Sequence, residues 1–310
     1  AEQLNTLAFM LRNNVNKESY NVKLTADIDY TAYTHSSFAA LGVNEDFPFK
    51  GDFDGQNHTI TIDLTTYCKC FGLFGTVEGT IHNLKVAGKI TATTRNQIGG
   101  ICGLLKGSIT SNAEGGAISG YSGGDGSHVF NCYNSGIVKN GGEVSKAFCR
   151  STGAHFEDCY YTEGSGTDNS TENKTYGQPS MVTDDALASG ELCYKLNNGL
   201  STIAWYQKLG EGGDAYPDLF GTDRVYLTGH KHCDGTLYED ETGYSNTETV
   251  IEIDSHTYVD GICSYCGELD ESYVTLTDGY YQISTEKQLV WFAKKVQKGI
   301  NIVGGKKILK

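Results

Sequence analysis

The sequence predicts a mainly β protein organised around a right-handed parallel β-helix, a solenoid with helical end caps, followed by a small Cys/His module. Three observations predict it. Gly72-Leu73-Phe74-Gly75 returns 28 residues later as Gly100-Ile101-Cys102-Gly103. In the same register Gly79-Thr80-Ile81 returns as Gly107-Ser108-Ile109, and Gly88-Lys89-Ile90 as Gly116-Ala117-Ile118, without a gap. A fixed period with glycine corners and β-branched residues between them is the mark of stacked coils. Within the repeat Ile81, Leu84, Val86 and Ile90 supply the apolar positions of strands with one face turned inward. Parallel strands joined by crossovers take the right hand.

The elements follow in order. Residues 2–13 place Leu4, Leu7, Ala8 and Leu11 on one helical face. A solenoid must cover its open end, so this helix is read as a cap without activity of its own. Val22, Leu24, Ala26 and Ile28 then alternate as a strand does. After the two clear repeats the vocabulary persists: Asn131-Cys132-Tyr133-Asn134 is echoed 27 residues on by Asp158-Cys159-Tyr160-Tyr161. Gly120 to Gly126 and Gly141-Gly142 read as loops, as does the polar stretch 162–179. Residues 183–199 return to helical character, with Ser189 as a cap for a second short helix and Gly199 as its stop. The tandem Asp184-Asp185 suits the dipole of a first helical turn.

Residues 72–75, with the phrase Phe49-Lys50-Gly51-Asp52-Phe53-Asp54-Gly55-Gln56-Asn57-His58-Thr59-Ile60 upstream, resemble the GLUG-repeat proteins. The passage Leu196-Asn197 to Gly199 and Trp205 to Gln207 resembles the tail that follows such repeats, expected to close the other end of the solenoid. The resemblance spans residues 1–165 and extends to about 226. It implies a secreted or wall-attached bacterial surface protein, extracellular and adhesin-like. It says little of activity, since one fold hosts many functions.

Composition sets bounds. There are 39 glycines against three prolines, which favours turn-dense β structure. A net charge of −14 argues against nucleic acid and anionic membrane surfaces as partners. No apolar run approaches the roughly 20 residues of a spanning helix, so membrane insertion is not expected. No secretory leader is read at Ala1, and the chain is expected to be part of a longer mature protein. Of ten cysteines, Cys68, Cys70, Cys102, Cys132, Cys149 and Cys159 stand at repeat-like positions and are read as small buried residues stacked from coil to coil.

A second chemistry lies in residues 227–272. His230-Lys231-His232-Cys233 is followed by His256 and by Cys263-Ser264-Tyr265-Cys266-Gly267. A Cys-x-x-Cys turn brings two thiolates to one ion, and Cys or His elsewhere completes the tetrahedron. Six candidates compete for four places: Cys263 and Cys266 first, then Cys233 and His256, with His230 and His232 as alternatives. The segment is too small and polar to bury a core and needs a staple. Structural zinc is expected; a disulfide from Cys233, or between Cys263 and Cys266, is the alternative. The phrase His256 to Gly267 also resembles zinc-ribbon-like inserts of bacterial surface proteins. A catalytic zinc lacks its His-Glu-x-x-His pair.

The chain closes as it opens. Gln288, Leu289, Phe292, Ala293, Val296 and Ile300 repeat Gln3, Leu4, Leu7, Ala8, Leu11 and Val15 at an offset of 285. Thr285 and Gln288 form a capping-box pattern before that helix. The expected organisation is 1–176 β-helix with its cap, 177–226 second cap, 227–272 Cys/His module, and 273–310 a strand, helix and strand beginning a further unit. The face of Leu289, Phe292 and Val296 lacks its own coil and is expected to pack on another module or copy.

No catalytic residues are assigned. Asp52 and Asp54 lie two apart, but Asp54 sits in a turn where aspartate bonds its own backbone. A polysaccharide lyase or hydrolase would need a paired carboxylate or basic constellation that is not recognisable. Recognition of a glycan or host protein is the expected function, non-catalytic, with Tyr121, Tyr133, Tyr160 and Tyr161 as candidate groove-lining rings among 20 tyrosines. A structural spacer or stalk is the alternative.

Overall fold

The computed structural model describes all residues except 15–17, 32–39, 67–69, 93–96, 107, 111–117, 123–125, 137–138, 141–142, 145, 150–153, 168–176 and 299–310. The chain forms two compact units, the first comprising 1–226 with 244–247, the second 227–243 with 248–310. Among the described residues no helix is long and apolar enough to cross a membrane.

The first unit is a parallel β-solenoid. One sheet of seven strands runs through Val22–Lys23, Asp52–Thr66, Thr80–Ala92, Ser108–Thr110, Ser127–Phe130 and Ala154–Glu157, with Ile28–Asp29 also on Asp52–Thr66. A second sheet orders Ser119–Ser122, Cys102–Leu105 and Phe74–Val77, and a third Tyr133–Asn134, Tyr160–Thr162 and Ser180–Val182. All of these pairs are parallel.

The period of 28 is the register itself. Phe74 pairs with Cys102, and Ile81 with Ile109. The inward column Phe53, Ile81, Ile109, Val129 and Phe156 is set by this pairing, and all five are buried. A slip of one residue would turn that column to solvent, so burial enforces the register. Phe49, Phe53 and Phe74 form the aromatic centre, with ring centroids 5.1–6.1 Å apart and tilted to edge-on contacts. The motif glycine Gly75 is required because a Cβ there would lie 2.4 Å from the Gly42 carbonyl oxygen of the preceding coil.

Beyond the clear repeats the spacing changes. Ser108 pairs with His128, only 20 residues on, and the spacing of 27 returns with Tyr133 and Tyr160. Residues 120–122, the start of the stretch expected to be a loop, belong instead to the strand Ser119–Ser122 on Cys102–Leu105; pairing with the neighbouring coil overrides the glycine-rich composition. Cys102, Cys132, Cys149 and Cys159 are buried and are not joined in disulfides, as expected. Cys68 and the side chain of Cys70 lie outside the described residues.

The ends are covered by helices. Helix α1 (Glu2–Arg12) buries Leu4, Ala8 and Leu11 on the core of the coils. At the other end, Ser180–Val182 extends the third sheet. Helices α2 (Asp184–Ala188) and α3 (Glu191–Leu196) then pack with Tyr133 and Trp205. Thr183 caps α2 by accepting from the Ala186 N–H at 3.3 Å. The N-cap of α3 is Gly190 rather than Ser189, which ends α2 and accepts from the Glu191 N–H. Trp205 Nε1 donates to the Asn131 carbonyl, while Asn131 Nδ2 donates to the Leu196 and Asn198 carbonyls, tying this cap to a coil corner.

Those corners share a chemistry. Asn83, Asn131 and Asp158 each follow a residue aligned in the first sheet (His82, Phe130 and Glu157) and hold φ of 52°, 49° and 47°. Asn and Asp tolerate this left-handed conformation better than other L-residues.

The second unit has little core. Leu269, Val274 and Trp291 are its buried cluster, with Ile262, Tyr273, Tyr281, Ile283 and Phe292 against them. Leu269 lies before the expected boundary at 272 and Val274 and Trp291 after it, and the three share this core. Two hairpins turn on Asp-Gly pairs. Val259 pairs with Ile262 across Asp260-Gly261, and Thr277 with Tyr280 across Asp278-Gly279, with positive φ at all four turn residues. Helix α4 (Glu286–Gln297) is capped by Thr285, which accepts from the Gln288 N–H at 3.2 Å. The strand expected after it lies outside the described residues.

Candidate metal centre

Three backbone devices in the second unit bring four donors together. The strand His230–Lys231 pairs in parallel with Glu252–Ile253, which sets the chain leading to Cys233 beside the chain leading to His256. After His230–Lys231 the chain turns sharply. Gly235 N–H donates to the His232 carbonyl at 2.8 Å, and the Asp234 carboxylate accepts from the Thr236 N–H and hydroxyl at 2.9 and 2.7 Å. This turn carries Cys233. The Asp260-Gly261 hairpin delivers Cys263. Gly267 N–H then donates to the Cys263 carbonyl at 3.0 Å, curling Cys266 back toward it.

The ligand atoms of Cys233, His256, Cys263 and Cys266 all lie within 4.8 Å of one another. Cys233 Sγ is 3.6 Å from Cys263 Sγ, and Cys266 Sγ is 3.4 Å from His256 Nδ1. A tetrahedron with zinc–sulfur bonds of about 2.3 Å and zinc–nitrogen bonds of about 2.0 Å has sulfur–sulfur edges of about 3.8 Å and sulfur–nitrogen edges of about 3.5 Å. The Cys233-to-Cys263 and Cys266-to-His256 separations are within about 0.2 Å of those edges, and the other donor pairs lie within 4.8 Å. The donor set therefore fits a tetrahedral cation of zinc's kind. Cys263 is buried, Cys233 and Cys266 half-buried, and His256 lies at the surface.

The thiols are electrically unequal. The backbone N–H of Cys266 lowers the Cys263 thiol to about 5. Desolvation and the neighbouring sulfurs raise Cys233 to about 12. Three sulfurs this close cannot all be thiolates on their own, because like charges repel. A divalent cation supplies the opposing charge and deprotonates its coordinating thiols.

The six sequence candidates thus resolve into four. His230 is not in the cluster: its Nδ1 faces Glu241 Oε2 at 2.8 Å and its Nε2 lies 3.9 Å from Glu252. His232 is turned away as well. Its ring lies between Tyr238 and Tyr265, at centroid distances of 3.4 and 3.8 Å.

The tyrosine candidates fare differently. Tyr133 is buried, its ring against Trp205 and its hydroxyl donating to the Pro217 carbonyl at 3.2 Å. Tyr161 is buried in the solenoid core. Both rings are core, so neither lines a groove. Tyr160 is half-buried and packs on the second cap; its hydroxyl donates to Asp158, and burial, with the nearby Asp158 charge, pushes it well above the ordinary tyrosine range. Tyr121 stands on Ser119–Ser122 with its ring outside the described side chains.

Asp54, Asp52 and Asp27 of the first unit are also occupied. Asp54 Oδ1 accepts from the Gln56 N–H and from Asn83 Nδ2, each at 3.0 Å. Its Oδ2 meets Gln56 Nε2 and, at 3.3 Å, Lys23 Nζ. Burial alone would raise this carboxyl, but the hydrogen bonds outweigh it and hold the group at about 2. A folded pKa below the ordinary 3.8 stabilises the fold fully above that value and withdraws the stabilisation as pH falls toward about 2. Asp54→Asn should therefore flatten the loss of thermal stability of the β-helix between about pH 4 and about pH 2. An unchanged slope would show that Asp54 is not a source of the acid sensitivity. Asp52 Oδ2 is 3.2 Å from His82 Nε2, and Asp27 Oδ1 3.1 Å from His58 Nδ1.

No protein-family model and no curated protein matches the chain. Among solved structures, the chain is similar to a Bacteroides ovatus protein provisionally named an immunoglobulin A1 protease, over 68% of this chain and 90% of that one. The identity is 17% and the TM-score 0.39, a likeness that carries no argument about fold or activity.

Proposed function

We propose that the chain is a non-catalytic module of an extracellular bacterial surface protein, in which the β-helix is a rigid support and a structural zinc staples the Cys/His unit. The observation that carries the reading is the closure of the donor set. Catalytic zinc keeps one position for water or substrate, whereas Cys233, His256, Cys263 and Cys266 supply all four. The burial of Tyr133 and Tyr161 and the occupied carboxylate of Asp54 support a spacer over a tyrosine-lined groove or a glycosidase. The surface location rests on the resemblance of 49–60 and 72–75 to GLUG-repeat proteins.

A second reading, recognition of a glycan or host protein, is favoured by one observation. Tyr265 and Tyr258 are 55% and 40% exposed beside the cluster, and Tyr265 continues the stack of Tyr238 and His232. Exposed aromatic rings of this kind stack on sugars and protein surfaces. The test is a screen of the zinc-loaded chain against glycans, mucins and matrix proteins, with the same polymers assayed for newly released ends. The spacer reading expects neither binding nor cleavage. Saturable binding lost in Tyr265→Ala, with zinc content unchanged, would establish recognition instead. Released sugar or peptide ends would overturn the non-catalytic reading.

A further inference from the structure

We infer that α4 carries a second solenoid cap, whose exposed stripe is built to cover the open end of a parallel β-helix coil like residues 20–66. The inference starts from the same helix appearing twice. Leu4, Ala8 and Leu11 of α1 correspond to Leu289, Ala293 and Val296 of α4 at a constant offset of 285. In α1 these three are 4%, 1% and 1% exposed, seated on the first coils. In α4, Leu289 is 48% and Val296 45% exposed, and Ala293 is exposed too.

The exposed stripe does not mean that α4 is undocked. Trp291 and Lys295, on the opposite side, are buried in their own unit. Lys295 Nζ pairs with Glu271 and lies 5.0 Å from the Trp291 ring centroid and 5.6 Å from that of Tyr281. Phe292, expected on the free face, packs instead against Tyr281 at 5.2 Å. The positions matching Trp291 and Lys295 in α1 are Thr6 and Met10, and both are exposed. Each helix therefore uses one face. The face that α1 spends on its coil is the one α4 leaves in solvent.

That correspondence also selects the occupant. The surface covered by α1 belongs to the apolar core of the β-helix, where Tyr30 Oη donates to Asn5 Oδ1 at 3.3 Å, and a face of matching apolar residues in the same spacing fits the same kind of surface. A second copy of this chain does not offer it, because its first coil is already covered by its own α1. The occupant is a β-helix end that lacks a cap.

A transplant in the full chain tests this. Residues 2–13 are replaced by the sequence of 287–298, which puts Leu289, Ala293 and Val296 where Leu4, Ala8 and Leu11 stand. If the stripe is a coil cap, the thermal midpoint of the β-helix stays within about 3 °C of wild type. The same transplant with Leu289→Asp and Val296→Asp should lose about 10 °C or more. An unmutated transplant that falls as far as this control overturns the inference. So does light scattering that shows wild type as a dimer dissociated by Leu289→Asp, since the face would then serve a second copy.

Discussion

Removing the metal should unfold the second unit and leave the β-helix intact. Chelation, or Cys266→Ser, is expected to abolish hydrogen-exchange protection at the Cys263 and Gly267 amides, which donate to the Glu268 and Cys263 carbonyls at 2.7 and 3.0 Å. The Phe74 amide, which donates to the Ile101 carbonyl at 2.7 Å in the first unit, should keep its protection. The asymmetry follows from magnitudes. Structural zinc contributes about 10–16 kcal/mol to small zinc-dependent folds. Against it the second unit can set a buried cluster of Leu269, Val274 and Trp291, each worth about 1.5–3 kcal/mol or somewhat more for the indole. Ordering its backbone costs about 1–2 kcal/mol per residue, so a core this small does not hold the unit alone. Protection that survives chelation at Cys263 and Gly267 would show the metal to be dispensable.

The second large effect lies in the first unit. Phe74→Ala should cost about 3–5 kcal/mol, because the cavity opens at a closed aromatic junction rather than at a rim. The Phe74 ring sits 5.3 Å from Phe49 and 5.1 Å from Phe53, and all three are fully buried. In a unit of this size the loss corresponds to a fall of about 10 °C in thermal midpoint, measured by circular dichroism. Gly75→Val should be no milder, for a different reason. Its Cβ would meet backbone atoms of the neighbouring coil, which cannot swing aside as a side chain can. A shift of less than about 3 °C for Phe74→Ala would contradict the packing described.

The solenoid was legible because its period and its burial are one constraint. Phe53, Ile81 and Ile109 must all face inward, so equal spacing in the sequence is equal register in the sheet. The change to a spacing of 20 between Ser108 and His128 was not legible, since no glycine-cornered phrase repeats there. Nor was the strand at 119–122, where the partner coil rather than local propensity decides. At the metal centre the Cys-x-x-Cys turn is a local signal and was readable. His256 was ranked ahead of His230 and His232, and the cluster contains it; the reason the other two stay out was not legible, because it depends on the turn at 233–236 and on the pairing of His230–Lys231 with Glu252–Ile253. The Asp-Gly pairs at 260–261 and 278–279 are strong hairpin signals in the sequence itself. They place Cys263 one residue after a tight turn, which strengthens its standing as a ligand. The burial of Tyr133 and Tyr161 carries no such local mark; it comes from the second cap and from the solenoid core respectively.

The most direct measurement is the zinc content of the full chain, taken together with the reactivity of Cys233, Cys263 and Cys266 before and after chelation. The proposed zinc staple predicts one zinc per chain, with these three thiols protected until a chelator releases them together. A chain that binds no zinc and joins Cys233 to Cys263, or Cys263 to Cys266, in a disulfide would contradict it.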